Sequence, residues 1–168
     1  ARAIKTIMSG ALAFHAQTDF LPEQLRRLGY RLHAVSAQNE SFGDTRQRLR
    51  FDAFDSYFES SMHDWHDEDL TTWQRMNRIS LTLDSRLVNE RIFRALDEDR
   101  GKPFLFYVNF QDLHYPYFGR QMPLRFITEG RTDAAFFTAA NAEAIRAQYA
   151  NAARYLDDAL RAFFDGLA

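Results

Sequence analysis

Cysteine is absent from this sequence. That removes disulfides, thiolate metal sites and cysteine nucleophiles, and it leaves the compartment open because exported proteins can also lack cysteine. No apolar run approaches the ~20 residues that a membrane-spanning helix requires. The first residues also lack the long apolar stretch of a secretory signal. The chain as given reads as soluble, with no membrane segment of its own. An excess of one charge is missing too. Lys and Arg number 21 against 23 Asp and Glu, a net charge of -2, so there is no electrostatic reason to expect nucleic acid or an anionic membrane as partner. Repeats, low-complexity tracts and a dividing linker are likewise lacking, and 168 residues read as a single domain, or a piece of one.

What is present is a chain with 46% hydrophobic and 15% aromatic residues, 16 of them phenylalanine. The rings are spread along the whole length, which predicts a broad packed interior and not one aromatic binding platform. The opening "ARAIKTIMSGALAF" reads as a short helix ending near Gly10, since glycine just past an apolar-periodic run is a common stop. "LPEQLRRLGY" places proline in a first turn, Leu21, Leu25 and Leu28 on one face, and Gly29 at the exit, which specifies an amphipathic helix. "YRLHAVSA", Tyr30 to Ala37, then alternates as a strand.

From Gln38 to Leu83 the periodicity breaks down, apart from a short helix near Thr45 to Leu49. "DSRLVNERIFRALDEDRG" restores a pattern, with Asp84 or Ser85 as cap, Leu87, Val88, Ile92 and Leu96 on one face and Gly101 as the end. The strand "FLFYVNF" follows, and its almost continuous apolar character predicts a central strand covered on both faces. The last segment, "AANAEAIRAQYANAARYLDDALRAFFDGLA", reads as a long helix with Ile145, Tyr149, Ala152, Ala153, Leu156, Leu160 and Phe163 near one stripe. Helix before strand, twice over, is the α/β pattern, and after the last helix such a fold would next supply another strand.

In parallel α/β sheets functional groups collect beyond the carboxyl ends of the strands. "NFQDLHYPY" sits there, and Pro116 biases Tyr115 toward extended geometry, so His114 can present its imidazole in a fixed direction to an anionic or metal-bound oxygen. The plain alternative is a histidine that satisfies backbone groups of its loop. "SAQNESFG", Ser36 to Gly43, ends the other strand, where Gln38 and Asn39 can orient a substrate or water, or simply build a turn. "MHDWHDED" gathers His63, Asp64, His66, Asp67, Glu68 and Asp69 without a zinc spacing, and reads as a solvated acidic loop. His15 and His33 stand in apolar contexts as packing or capping residues.

Three stretches resemble the sulfatase branch of the alkaline phosphatase superfamily. "KPFLFYVNFQDLHYPYFG" is similar to the family's "kPFFlyvnfqdpHxPy" strand and loop, "LPEQLRRLGYRLHAVSAQN" to its "LpeiLkenGYrT" unit, and "YANAARYLDDALRAFFDGL" to its "Y.nairyvDd" helix. The resemblance implies an alkaline phosphatase-like fold, a mixed sheet flanked by helices, of which residues 1–168 would be the central and incomplete part. It implies hydrolysis of small-molecule or glycan sulfate esters by an oxidised cysteine or serine, helped by a divalent cation such as calcium.

His114 then matches the family histidine that meets the substrate. "MSG", Met8 to Gly10, resembles the "LTG" that follows the nucleophile motif, which places the nucleophile at or before Ala1 and Lys5 where the motif's arginine stands. The metal-binding aspartates and the "sDHG" strand have no counterpart, so no cation and no catalysis are expected of this segment alone.

The family's "GKWH" is also altered, with Ala37 in place of the lysine and Asn39 in place of the histidine. This opens phosphate or phosphonate esters, or phosphoethanolamine-type transfer, as alternatives, since these are tetrahedral anions served by similar chemistry. A non-catalytic binding or scaffold module is the third. The family resemblance implies a periplasmic or extracellular setting. The rest of a parent domain, or a second copy, is the expected partner for an uncovered strand edge.

Overall fold

The computed structural model describes residues 20–70, 72–76 and 81–167. The helix expected over the opening segment, with Lys5 and His15, lies outside them. Helix α1 spans Leu21–Arg27 with Pro22 in its first turn. It ends in a Schellman motif: the N–H of Tyr30 donates to Leu25 O and that of Gly29 to Arg26 O. Gly29 takes φ +87° there, a conformation glycine adopts without a Cβ clash. The chain turns directly into β1, Arg31–Ser36, followed by the single turn α2, Thr45–Arg48, strand β2, Ser56–Glu59, and the short helix α3, Thr72–Met76. Helix α4, Ser85–Glu98, starts on Asp84, whose carboxylate accepts the N–H groups of Arg86 and Leu87. Strand β3 is Phe104–Asn109 and helix α5 is Ala142–Leu167.

The strands form a parallel sheet in the order β2-β1-β3. Alternation along each strand divides the core. On one face Ala34 packs with Phe20, Leu49 and Phe51, backed by Tyr57 and Tyr107. On the other, Val35 packs with Val88 and Ile92 of α4, backed by Phe58, Phe106 and Val108. His33 shares this second face, fully buried and stacked on Phe106 with ring centroids 4.6 Å apart.

Packing bears on three sequence expectations. Strand β3, expected as a central strand, pairs with β1 among the described residues, where β1 lies between the other two; the side chains of β3 are half-buried and Phe104 is exposed. An apolar run reports that a strand packs on two faces, not how many strands flank it. On α5 the buried stripe is Gln148, Asn151, Ala152, Tyr155 and Ala159, and Tyr149 is exposed. The stripe is turned from the expected one because two amides point inward. The rings are also less interior than their spread suggests: Phe20 and Phe51 are fully buried, but Phe126 and Phe164 are exposed.

Candidate functional site

The three strands end in register, with Ser36 opposite both Glu59 and Asn109, so a polar row Glu59, Ser36, Asn109 crosses the carboxyl edge of the sheet. The chain leaving β1 folds back over this row and buries Glu40 completely. A buried carboxylate must be satisfied by donors, and Glu40 collects three. Ser36 Oγ donates at 2.6 Å and Asn109 Nδ2 at 2.9 Å to Oε1, and Gln38 Nε2 donates at 3.4 Å to Oε2. Glu59, also buried, accepts the N–H of Glu40 at 2.6 Å, the Ser61 hydroxyl at 2.6 Å and the Tyr57 hydroxyl. Burial together with this carboxylate pushes the Tyr57 phenol well above its ordinary range.

Beyond Asn109 the amides continue, since Gln111 Nε2 donates to Asn109 Oδ1 at 2.9 Å and the N–H of His114 donates to Gln111 O at 2.9 Å. One hydrogen-bonded chain therefore runs from Gln38 through Glu40, Asn109 and Gln111 to His114. Between them Asp112 is buried and accepts the N–H and the hydroxyl of Ser85 in the first turn of α4. Burial pushes its carboxyl above the usual range, and the bonds from Ser85 oppose that rise. His114 itself is exposed, and its Nδ1 lies 2.9 Å from Tyr115 O. A carbonyl only accepts, so Nδ1 carries the proton and Nε2 is the nitrogen left for the crevice that His114 lines.

That crevice shares Gln74, Thr82, Asp84 and Gly119 with an adjoining cleft of about 560 Å³. Around the cleft stand Arg86, Arg91 and Arg120 with Asp64, Asp84 and Glu90. Opposite charges so close together make it a balanced, hydroxyl-compatible lining and not a cationic trap.

Of the residues singled out in the sequence, Gln38 and His114 join one network. Asn39 turns aside: its Oδ1 accepts the N–H of Ser41 at 2.9 Å and its hydroxyl at 2.6 Å. Ala37 is fully buried, with its N–H on Asn109 O and its carbonyl taking the N–H of Leu83. Lys5 lies outside the described residues. In "MHDWHDED" the chain is irregular between His63 and His66, and Asp64, His66, Asp67 and Glu68 are exposed. Among the described residues no three His, Asp or Glu side chains converge as a cation site, so these residues do not fit the divalent cation that the resemblance implies, and no chemistry is assigned to them through one. Also among the described residues, no helix is long and apolar enough to cross a membrane. Glu40, Glu59 and Gln148 were not legible as site residues, because a charged or amide side chain carries no sign of burial in its local sequence, whereas Asp112 lies in the polar end of the strand that the sequence sets apart.

The family model described as Sulfatase matches residues 13–168. The lipoteichoic acid synthase LtaP of Listeria monocytogenes superposes with a TM-score of 0.62 at 16% identity, covering 89% of this chain and 33% of its own. A protein of the alkaline phosphatase superfamily from Vibrio parahaemolyticus gives 0.54 at 18% identity, covering 96% of this chain and 37% of its own. The chain thus spans about a third of the length of each, and the alkaline phosphatase-like α/β fold is shared. No curated protein matches the sequence.

Proposed function

The chain belongs to the sulfatase family, and from that premise we propose that residues 1–168 are the central part of a hydrolase domain acting on sulfate esters. The observation that carries this reading is the placement of His114 just past the carboxyl end of β3, where it lines the crevice with Nδ1 tied to Tyr115 O, which leaves Nε2 as the nitrogen free of that bond. There the imidazole meets the ester's anionic oxygens or its leaving group, and the adjoining cleft receives the alcohol portion. The nucleophile, and a divalent cation such as calcium, are supplied in this reading by parts of the protein outside the segment, in an exported setting. Among the described residues β3 is paired on one side only, which supports a larger sheet completed by the rest of that domain or by a second copy.

A second reading is favoured by the β1 loop. Ala37 is sealed in the sheet edge and the Asn39 carbonyl is turned onto Ser41, so the pair that meets sulfate in relatives has no equivalent. Hydrolysis of phosphate or phosphonate esters, or transfer of a phosphoryl-linked group, fits this loop better. A scaffold that kept the fold without the chemistry is the remaining case.

The test is an assay of the full-length natural protein, with added calcium, on 4-nitrophenyl sulfate, 4-nitrophenyl phosphate and a phosphonate ester, beside the H114A variant. Sulfate turnover lost in H114A supports the first reading. Turnover of the phosphorus esters alone moves the assignment to the second, and failure on all three leaves the scaffold.

A further inference from the structure

Helix α5 carries two buried amides, Gln148 and Asn151, at 1% and 2% exposure. A carboxamide removed from water is costly unless its donors and acceptor are used. Both are used, and every partner is main chain of the loop that follows His114. Gln148 Nε2 donates to Pro116 O at 2.6 Å and to Arg131 O at 2.8 Å, while its Oε1 accepts the N–H of Arg131 at 2.8 Å. Asn151 Oδ1 accepts the N–H groups of Arg125 at 2.7 Å and Phe126 at 3.3 Å, and its Nδ2 donates to Pro123 O at 3.0 Å. The two amides tie down both the start and the return of this loop.

Pro116 lies in the turn closed by the bond from the N–H of Tyr117 to His114 O at 2.8 Å. Tyr117 has φ +60°, a backbone region that a non-glycine residue holds only where surrounding structure enforces it. The acceptor of the His114 ring proton, Tyr115 O, sits inside the same turn. The Pro116 carbonyl that Gln148 holds is one peptide on from the Tyr115 carbonyl that takes the imidazole bond.

We propose that Gln148 is a positioning residue for His114: its carboxamide, acting through the Pro116 carbonyl and the turn that holds Tyr115 O, sets the orientation of the imidazole. The inference rests on the reading that His114 meets substrate. It assigns control of the site to a helix residue that does not line it.

The experiment uses the full-length protein and Q148M, which keeps length and removes all three hydrogen bonds. The first readout is the His114 ring signal in a protein with 13Cε1-labelled histidine, assigned with H114A. The second is a double-mutant cycle on 4-nitrophenyl sulfate and 4-nitrophenyl phosphate. The expected result is a displaced His114 signal with those of His63 and His66 unmoved. Turnover of whichever ester is used should fall by about ten- to a hundredfold, the scale of a small misplacement, and H114A/Q148M should be no slower than H114A.

Losses that multiply in the double variant, or an unmoved His114 signal in a folded Q148M protein of lowered Tm, would overturn the proposal and leave Gln148 a purely structural amide. If Q148M does not fold, Q148E replaces it in both measurements, since it retains the acceptor for Arg131 and loses both donors. Should the wild-type protein turn over neither ester, the catalytic reading fails by itself, and the ring signal alone decides whether Gln148 orients His114.

Discussion

The carboxylate of Asp112 accepts both the backbone N–H and the hydroxyl of Ser85, so the loop leaving β3 is docked onto the first turn of α4. This contact fixes the base of the segment that carries His114. It also places a carboxylate in a buried position where ionisation is disfavoured.

The first prediction follows from that burial. A carboxyl whose native pKa lies above its unfolded value holds its proton more tightly when folded. Its contribution to stability is therefore greatest at low pH and declines as pH rises from about 3.8 through the raised native value. In D112N this decline disappears, so the melting temperature of D112N relative to wild type should climb with pH across the acidic range. D112A, which strands the Ser85 N–H and hydroxyl, should cost about 1–3 kcal/mol. Thermal melts in a pH series check both.

His33 titrates in the opposite sense. Burial holds its imidazole below the usual 6.5, against the pull of the Asp99 carboxylate, whose Oδ2 lies 3.7 Å from Nε2. Nδ1 is spent on Ser56 Oγ at 2.8 Å. A base with a depressed native pKa contributes its full stability above 6.5 and loses it as pH falls from there toward the native value. H33F keeps the stack on Phe106 and cannot titrate, so its melting curve should lack the fall below pH 6.5 that wild type shows.

Glu40 is predicted to be the keystone of the sheet's polar edge. E40A leaves the Ser36 hydroxyl and the Asn109 and Gln38 amides without their acceptor, at a cost of about 1–3 kcal/mol. E40Q keeps one acceptor but turns a second NH₂ group toward donors, and should fall between wild type and E40A. Urea denaturation of the three proteins gives the order, and an E40A variant as stable as wild type would refute the assignment.

Gly130 is a matter of space. A Cβ there would run into the ring of Phe118, on the loop whose next residue is held by Gln148. G130A should destabilise by about 1–3 kcal/mol through overpacking, and G130A/F118A should recover part of that loss. Melting temperatures of the single and double variants measure the coupling.

How much was legible varies by element. Helix α1 with its glycine exit, β1, α4 with its Asp84 cap, β3 and α5 are all written in local patterns of apolar spacing and capping. Strand β2 is not: "SYFE" is four residues in a polar tract, and it becomes a strand because Ser56 to Glu59 pair with His33 to Ser36. Pairing of that kind depends on a partner distant in sequence, which local propensity does not encode. The candidate site was half visible. His114 and Asp112 stood out by their position after a strand, whereas Glu40 and Gln148 look like surface residues until the packing shows them buried.

The sequence by itself determined the alternation of helix and strand and the family, because these rest on periodicity, caps and short motifs. Tertiary structure alone decided which of the three described strands lies between the other two, which face of α5 turns inward, and which polar side chains meet at the sheet's carboxyl edge. The physical reason is that burying a carboxylate or an amide is permitted only where donors and acceptors from separate segments converge on it, and that convergence exists only in the folded chain.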